Sequence, residues 1–372
     1  MKRVSAAWSR WPVWSGYAAA LWSFVYGCLG LYWAVGGSGF PFGRGYDREA
    51  DDVFSLLAGA NPGVGGPVIA GLGLAGAVIG LLMAQGRGHG VLARLMLGFA
   101  GVTAATLALV IPDFRVLMLL TRLPFMPIWA FTGVPGGLTV GDLVPWARIN
   151  LLVLVLGGLL WAMAALAYSR RIKQVCLHCG RGVHGARWTS PEAAGRWGRR
   201  AVAVATVVPL IYAATRIAWA LGIPLGIPRS FYEENVDSGM FIGGLAIALM
   251  AIGGAVLTMG LVQRWGEVYP RWIWFKKGKR VPLALAMVPA GLVSVFVVPA
   301  GIMEIRMAFI RGIDPQEWAM LGPGLLWPLW GLALGAATVA YYLRRRGECP
   351  HCGLGAPSGP VVEAEVDDAV RS

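Results

Sequence analysis

Two short stretches of this sequence hold the residue types best suited to chemistry: Cys176-Leu-His-Cys179-Gly and Cys349-Pro-His-Cys352-Gly. A C-x-x-C knuckle aims two sulfurs at one point, and the glycine behind it relieves the tight turn, so two such pairs supply the four ligands of a tetrahedral thiolate site. The expected occupant is a structural zinc ion held by Cys176, Cys179, Cys349 and Cys352. Iron in the same cage and a reversible dithiol switch are the alternatives. His178 and His351 lie inside the knuckles, as supporting or solvated residues, and His184 is a candidate to replace one sulfur. No histidine follows the second cysteine of either pair, which excludes the c-type haem pattern. Cys28 reads as small core packing within the first helix.

A second group of candidates is charged and set in apolar surroundings. Asp113 and Arg115 flank a phenylalanine, Glu304 and Arg306 flank an isoleucine, and both pairs fall near the end of an apolar segment. A contact of Asp113 or Arg115 with Arg306 or Glu304 would make a gate or a lock; the alternative is separate, solvated helix caps of little energetic weight. Arg216 lies inside an apolar run, so it is a binding candidate by default, with snorkelling towards Glu233, Glu234 or lipid headgroups as the alternative. The acidic run Asp47, Glu49, Asp51 and Asp52 suits either cation binding or plain solvation.

The elements that must position these groups are membrane helices. The chain has 372 residues, 57% apolar and 14% charged, with a mean hydropathy of +0.62, far from the balance of a soluble domain. Eight segments are long and apolar enough to span, near 14–35, 65–85, 91–112, 148–168, 201–222, 239–263, 281–303 and 322–343. Tryptophans gather at their ends as an interfacial belt, Trp11, Trp14, Trp197, Trp265, Trp272 and Trp274 at one level and Trp33, Trp146, Trp219, Trp318 and Trp327 at the other. Of the 32 Lys and Arg residues, 23 fall on the side of the termini and of the loops near 86–94, 169–200 and 264–280. That places both termini and both cysteine pairs in the cytoplasm. Clusters such as Arg170, Arg171, Lys173 and Lys276, Lys277, Lys279, Arg280 therefore report topology, and no aromatic platform interleaves them to bind nucleic acid. The segment from Phe114 to Pro145 is too apolar for a solvated loop and too broken by proline for a span, and reads as a re-entrant or surface-lying hairpin.

The two halves of the chain repeat one another. Trp33-Ala-Val-Gly36 followed by Pro41-Phe-Gly43 returns as Trp219-Ala-Leu-Gly222 followed by Pro224-Leu-Gly226, and both C-x-x-C pairs follow a tyrosine, Tyr168 or Tyr341, by eight residues. An even number of spans per half makes the repeats parallel, related by a pseudo-twofold along the membrane normal. The expected fold is an all-α integral membrane protein of eight transmembrane helices in two parallel four-helix repeats, with a small cytoplasmic zinc-ribbon-like clamp. Residues 1–180 form the first repeat, 181–200 a linker, 201–353 the second repeat and 354–372 a disordered acidic tail. Leu31-Tyr-Trp33-Ala-Val-Gly36-Gly resembles the first-helix end, Y-W-A-L-G-G, of small bacterial four-span membrane proteins of no established activity. The resemblance implies two such units fused, and implies nothing about function; the second copy lacks the tyrosine and the second glycine.

The chemistry excluded is considerable. All four histidines fall on the cytoplasmic side, which disfavours Ser-His proteolysis or His-dependent phosphatase chemistry elsewhere in the membrane. Walker A, H-E-x-x-H and G-x-S-x-G are absent, and Gly71-x-Gly73-x-x-Gly76 lies within a span, where glycines serve close helix approach. The expectation is a bacterial cytoplasmic-membrane protein working as a transporter-like or permease-like module; its rival is a zinc or redox sensor or scaffold acting through a membrane or cytoplasmic protein partner.

Overall fold

The computed structural model describes residues 10–47, 49–51, 53–122, 126–133, 145–182, 187–271 and 277–355. The long helices are α1 (Trp11–Ala34), α2 (Pro62–Ala84), α3 (Gly90–Ala105, widened into a π turn over Thr106–Val110), α6 (Trp146–Ile172), α7 (Pro191–Ala220), α9 (Met240–Met259), α10 (Leu283–Arg311) and α12 (Trp327–Arg345). Shorter ones are α4 (Phe114–Arg122), α5 (Met126–Thr132), α8 (Arg229–Asn235) and α11 (Trp318–Leu325). Seven helical stretches are long and apolar enough to cross a membrane, the last being α11 and α12 taken together. The chain is a multi-pass membrane protein. Helix α1 also has the length and carries no charge, but four Trp and three Tyr lower its hydropathy below that of the others.

Boundaries depart from hydropathy where capping and helix propensity take over. α7 starts ten residues earlier than its apolar run, because Ser190 accepts a hydrogen bond from the Ala193 amide at 3.2 Å, with Pro191 at the first position and Glu192 in the first turn. Helix α10 continues to Arg311, so Glu304 and Arg306 stand inside a helix and not beyond its end. Of the 114–145 segment, α4 and α5 are described, and Phe131 is 93% exposed, as a lipid-facing side chain would be. His184, Asp52, Trp272, Trp274, Lys276 and the tail beyond Gly355 lie outside the described residues.

Packing follows one plan in each half. α1 packs on α2 and α6, and α3 on α6; α7 packs on α9 and α12, and α10 on α12. The halves meet where α10 lies against α4 and the π turn of α3, with Phe296 in one apolar cluster with Val116, Leu151 and Leu154. The α1–α2 contact is backbone on backbone. A Cβ added to Gly73 would stand 2.6 Å from Gly27 Cα, and one on Gly30 2.5 Å from the Ala70 nitrogen. Gly73→Ala is therefore expected to cost about 1–3 kcal/mol, whereas Gly71→Ala, which meets nothing within 4 Å, gains helix propensity. Thermal melts of the two variants in detergent check this, and equal melting temperatures would refute the close contact.

The helix ends named by the sequence repeat have the same hydrogen bonds. Leu31 and Ile217 carbonyls accept from Val35 and Leu221 at 3.2 and 3.0 Å, Tyr32 and Ala218 carbonyls from Gly37 and Ile223 at 2.9 and 2.9 Å. Gly36 and Gly222 follow at φ of 91° and 88°, left-handed backbone that suits glycine. Trp33 and Trp219 are buried, 2% and 6% exposed, and so act as packing anchors where an interfacial belt was expected. Cys28, in contrast, faces outward from α1 and is exposed.

Candidate metal centre

The cysteine pairs sit just past the ends of α6 and α12. Each knuckle closes the same way: the Gly180 and Gly353 amides donate to the Cys176 and Cys349 carbonyls at 2.7 and 2.8 Å, and the Cys176 and Cys349 amides to the Arg181 and Leu354 carbonyls at 2.9 and 3.1 Å. Gly180 and Gly353 have φ of 71° and 67°. The chain turns back on itself there, which a side chain would resist.

The two knuckles face each other. Cys176 and Cys349 sulfurs are 4.0 Å apart and Cys179 and Cys352 sulfurs 3.6 Å, and all four lie within 4.8 Å of one another. Tetrahedral zinc with Zn–S bonds of about 2.3 Å places its sulfurs roughly 3.8 Å apart. A disulfide needs about 2.05 Å. The spacing therefore fits a shared metal ion, and each of the closest pairs bridges the first and second halves of the chain. Above the cluster the His178 and His351 rings stack at 3.5 Å and 14°, so the histidines pair with each other across the same junction.

Hydrogen-bond donors surround the sulfurs. The Arg181 amide points at Cys179 Sγ at 3.4 Å, and Leu354 donates to Cys352 in the same register. Burial alone would raise the Cys176 thiol, but amides of Cys179 and His178 and neighbouring thiols donate to it and bring it down to about 6. Burial pushes its neighbour Cys179 up to about 12. Donors around Cys176 thus favour its thiolate, the form that binds metal.

Three arginines bolt the knuckles to the bundle, and none was singled out by spacing. Arg170 donates to the Leu177 and His178 carbonyls at 2.8 and 2.9 Å. Arg181 reaches the Gly347 and Leu354 carbonyls at 2.8 and 2.6 Å, and Arg346 reaches the Cys179 and Thr189 carbonyls at 2.6 and 3.0 Å. Four thiolates around a divalent ion would leave two negative charges, and these guanidinium groups, whose hydrogen bonds among the described residues go to carbonyls, would help to offset them. The tyrosines ahead of the cysteines repeat as well: Tyr168 and Tyr341 hydroxyls each donate to a carbonyl, Arg87 and Gly266, at 2.6 Å. Arg171 and Arg344 reach the Ala84 and Leu261 carbonyls at 3.0 and 2.6 Å, capping α2 and α9 in like fashion.

No family model, curated protein or solved structure matches the chain.

The charged candidates gather at the opposite end of the bundle, in two groups. Arg115, 2% exposed, donates to both oxygens of Asp113 at 2.9 and 2.7 Å and to both oxygens of Asp47 at 2.8 Å. Glu49 extends the network, 3.6 Å from Arg115 and 2.7 Å from Arg148. Asp113 and Arg115 thus bond within the first half and not across to Glu304 or Arg306, and they are buried where solvated caps were the alternative. Asp47 and Glu49 serve these arginines, and Asp51 pairs with Arg44 at 2.7 Å. In the second half Arg216 turns inward: it donates to the Ala319 carbonyl at 2.9 Å and lies over the Trp219 and Tyr212 rings at 4.0 and 4.6 Å. The three guanidinium nitrogens of Arg306 and one Glu304 oxygen are buried without a hydrogen-bond partner among the described residues.

Proposed function

We infer that this chain is a protein of the bacterial cytoplasmic membrane, duplicated into two parallel four-helix halves with α1 as an eighth span, and clamped on its cytoplasmic face by zinc. In this reading the ion in Cys176, Cys179, Cys349 and Cys352 fixes how the inner ends of α6 and α12 lie together. The protein works as a sensor or scaffold whose cytoplasmic surface, presented to a protein partner, depends on that clamp. The observation that carries it is the pairing of sulfurs from opposite halves at metal-ligand spacing. The matching hydrogen bonds at both tyrosines, both knuckles and both Trp-x-x-Gly turns support the duplication.

The test is metal content together with hydrogen exchange on the purified full chain. One zinc per chain is expected, and removing it with a chelator should speed amide exchange over 170–182 and 344–355 while leaving the Asp113 end unchanged. Metal-free protein with thiols that oxidise reversibly would replace the clamp with a redox switch. Unchanged exchange after zinc removal would leave a clamp that reports nothing. A second reading, a transporter-like module, has its own observation: Glu304 and Arg306 leave buried polar atoms unpartnered on α10, the helix on which the halves meet.

A further inference from the structure

The second half has a feature that the first lacks. Between α2 and α3 the chain turns in a few residues, whereas between α9 and α10 it forms a hairpin. Val268 and Arg280 bridge it, the Tyr269 amide donates to the Lys279 carbonyl at 3.0 Å, and the Val281 amide to the Glu267 carbonyl at 2.9 Å. The hairpin is docked at the cysteine end, where Arg344 pairs with Glu267 at 3.1 Å. With Glu267 so engaged, its exposed described charges are basic: Arg264, Arg271, Lys277, Lys279 and Arg280.

Under the hairpin opens an apolar cleft of about 390 Å³ between α9 and α10, floored by Trp330 and Leu334 of α12. Its lips, Leu257 and Leu285, are 69% and 58% exposed, so the cleft opens sideways to where lipid lies. Trp265 and Tyr269 of the hairpin close its cysteine end. From Leu285 to Val293 its wall on α10 runs roughly 12 Å, most of the depth of one leaflet in a hydrocarbon core of about 30 Å. The matching place in the first half is different in kind. There a cavity of about 470 Å³ is lined by His89, Arg94 and Arg171, which would repel a hydrocarbon chain.

We propose that this cleft holds one acyl chain of an anionic phospholipid from the leaflet on the cysteine side, with its phosphate on the basic hairpin. Depth, apolarity and sideways opening select a lipid tail over a soluble ligand. The net positive charge at its interfacial end selects an anionic headgroup over a zwitterionic one. The site is independent of the metal centre, so it stands or falls apart from the zinc clamp.

Native mass spectrometry of the delipidated full chain, titrated with dioleoyl phosphatidylglycerol or dioleoyl phosphatidylcholine, tests it. The anionic lipid is expected to bind at least about tenfold more tightly. The triple variant R271Q/K277Q/K279Q should bring the two lipids to within about twofold of each other. Gly254 lines the cleft, and a Cβ there meets nothing within 4 Å, so Gly254→Leu has room to enter the cleft and should weaken both lipids at least about fivefold. Equal affinities in the unaltered chain, or full binding by Gly254→Leu with its zinc content intact, would overturn the proposal. So would displacement of the lipid by millimolar inorganic phosphate, which would mark a site for free anions.

Discussion

Cys179→Ser is expected to lower the melting temperature of the full chain by roughly 10 °C or more, and to do so by emptying the whole metal site. Zinc binding to four thiolates is worth on the order of 10–16 kcal/mol in small zinc-dependent folds. In this chain the mutual repulsion of four thiolates would offset part of such a gain, so the net stabilisation would be smaller, but it would act at a junction with few other restraints among the described residues. Among the helix pairs, the halves meet through α10 on α4 and the π turn of α3, towards the Asp113 end. Near the cysteines they meet through the knuckles, the histidine stack and the carbonyls held by Arg181 and Arg346. The four ligands act as one unit. Single, double and quadruple serine variants should therefore melt within about 1 kcal/mol of one another, a strong departure from additivity. The same loss should follow from chelating the unaltered protein. Four equal, additive steps across the series would instead mean four ordinary buried side chains and no shared ion.

The cysteine site was legible because its chemistry is local in sequence. Two sulfurs, three residues apart and followed by glycine, define half a site wherever they occur, and a second such stretch at Cys349 and Cys352 supplies the other half. The opposite end was illegible for the converse reason. Arg115 finds Asp47 across 68 residues and Arg148 finds Glu49 across 99, and no spacing rule links them. Their charges were visible, but the acidic run around Asp47 reads equally well as a solvated loop until the fold lays it over Arg115. Helix limits failed in a related way. Hydropathy locates the part of a helix that lies in hydrocarbon, so it missed the basic first three turns of α7 and the last two of α10. The second error set Glu304 and Arg306 beyond a helix that in fact carries them to the junction of the halves. The tryptophan belt was half right in the same sense: an indole suits an interface, but Trp33 and Trp219 bring theirs inside, Trp219 donating to the Leu225 carbonyl at 2.8 Å.

Arg115→Met should be the most damaging change at the Asp113 end, costing about 3–5 kcal/mol. The substitution keeps an unbranched apolar stem but leaves Asp113, 0% exposed, and Asp47, 7% exposed, as buried carboxylates without their partner. Most of the cost is that stranded charge and little is the lost attraction. A variant that also carries Asp113→Asn and Asp47→Asn should therefore recover a large part of the loss, and failure to recover would point to packing instead. Hydrogen bonds and charge from Asp113 and Asp47 outweigh burial and hold Arg115 well above the usual guanidinium range, so it stays charged at any accessible pH. Acid must act on the carboxylates. Burial would raise Glu49, but Arg148 and Arg115 bring it below its ordinary 4.5. Its contribution is present above that value and is lost as pH falls through the depressed one. With its side chain 42% exposed, the contribution is small. The halves themselves meet at this end by contact, through the apolar packing of α10 on the π turn of α3 and on α4, whose first turn carries Arg115.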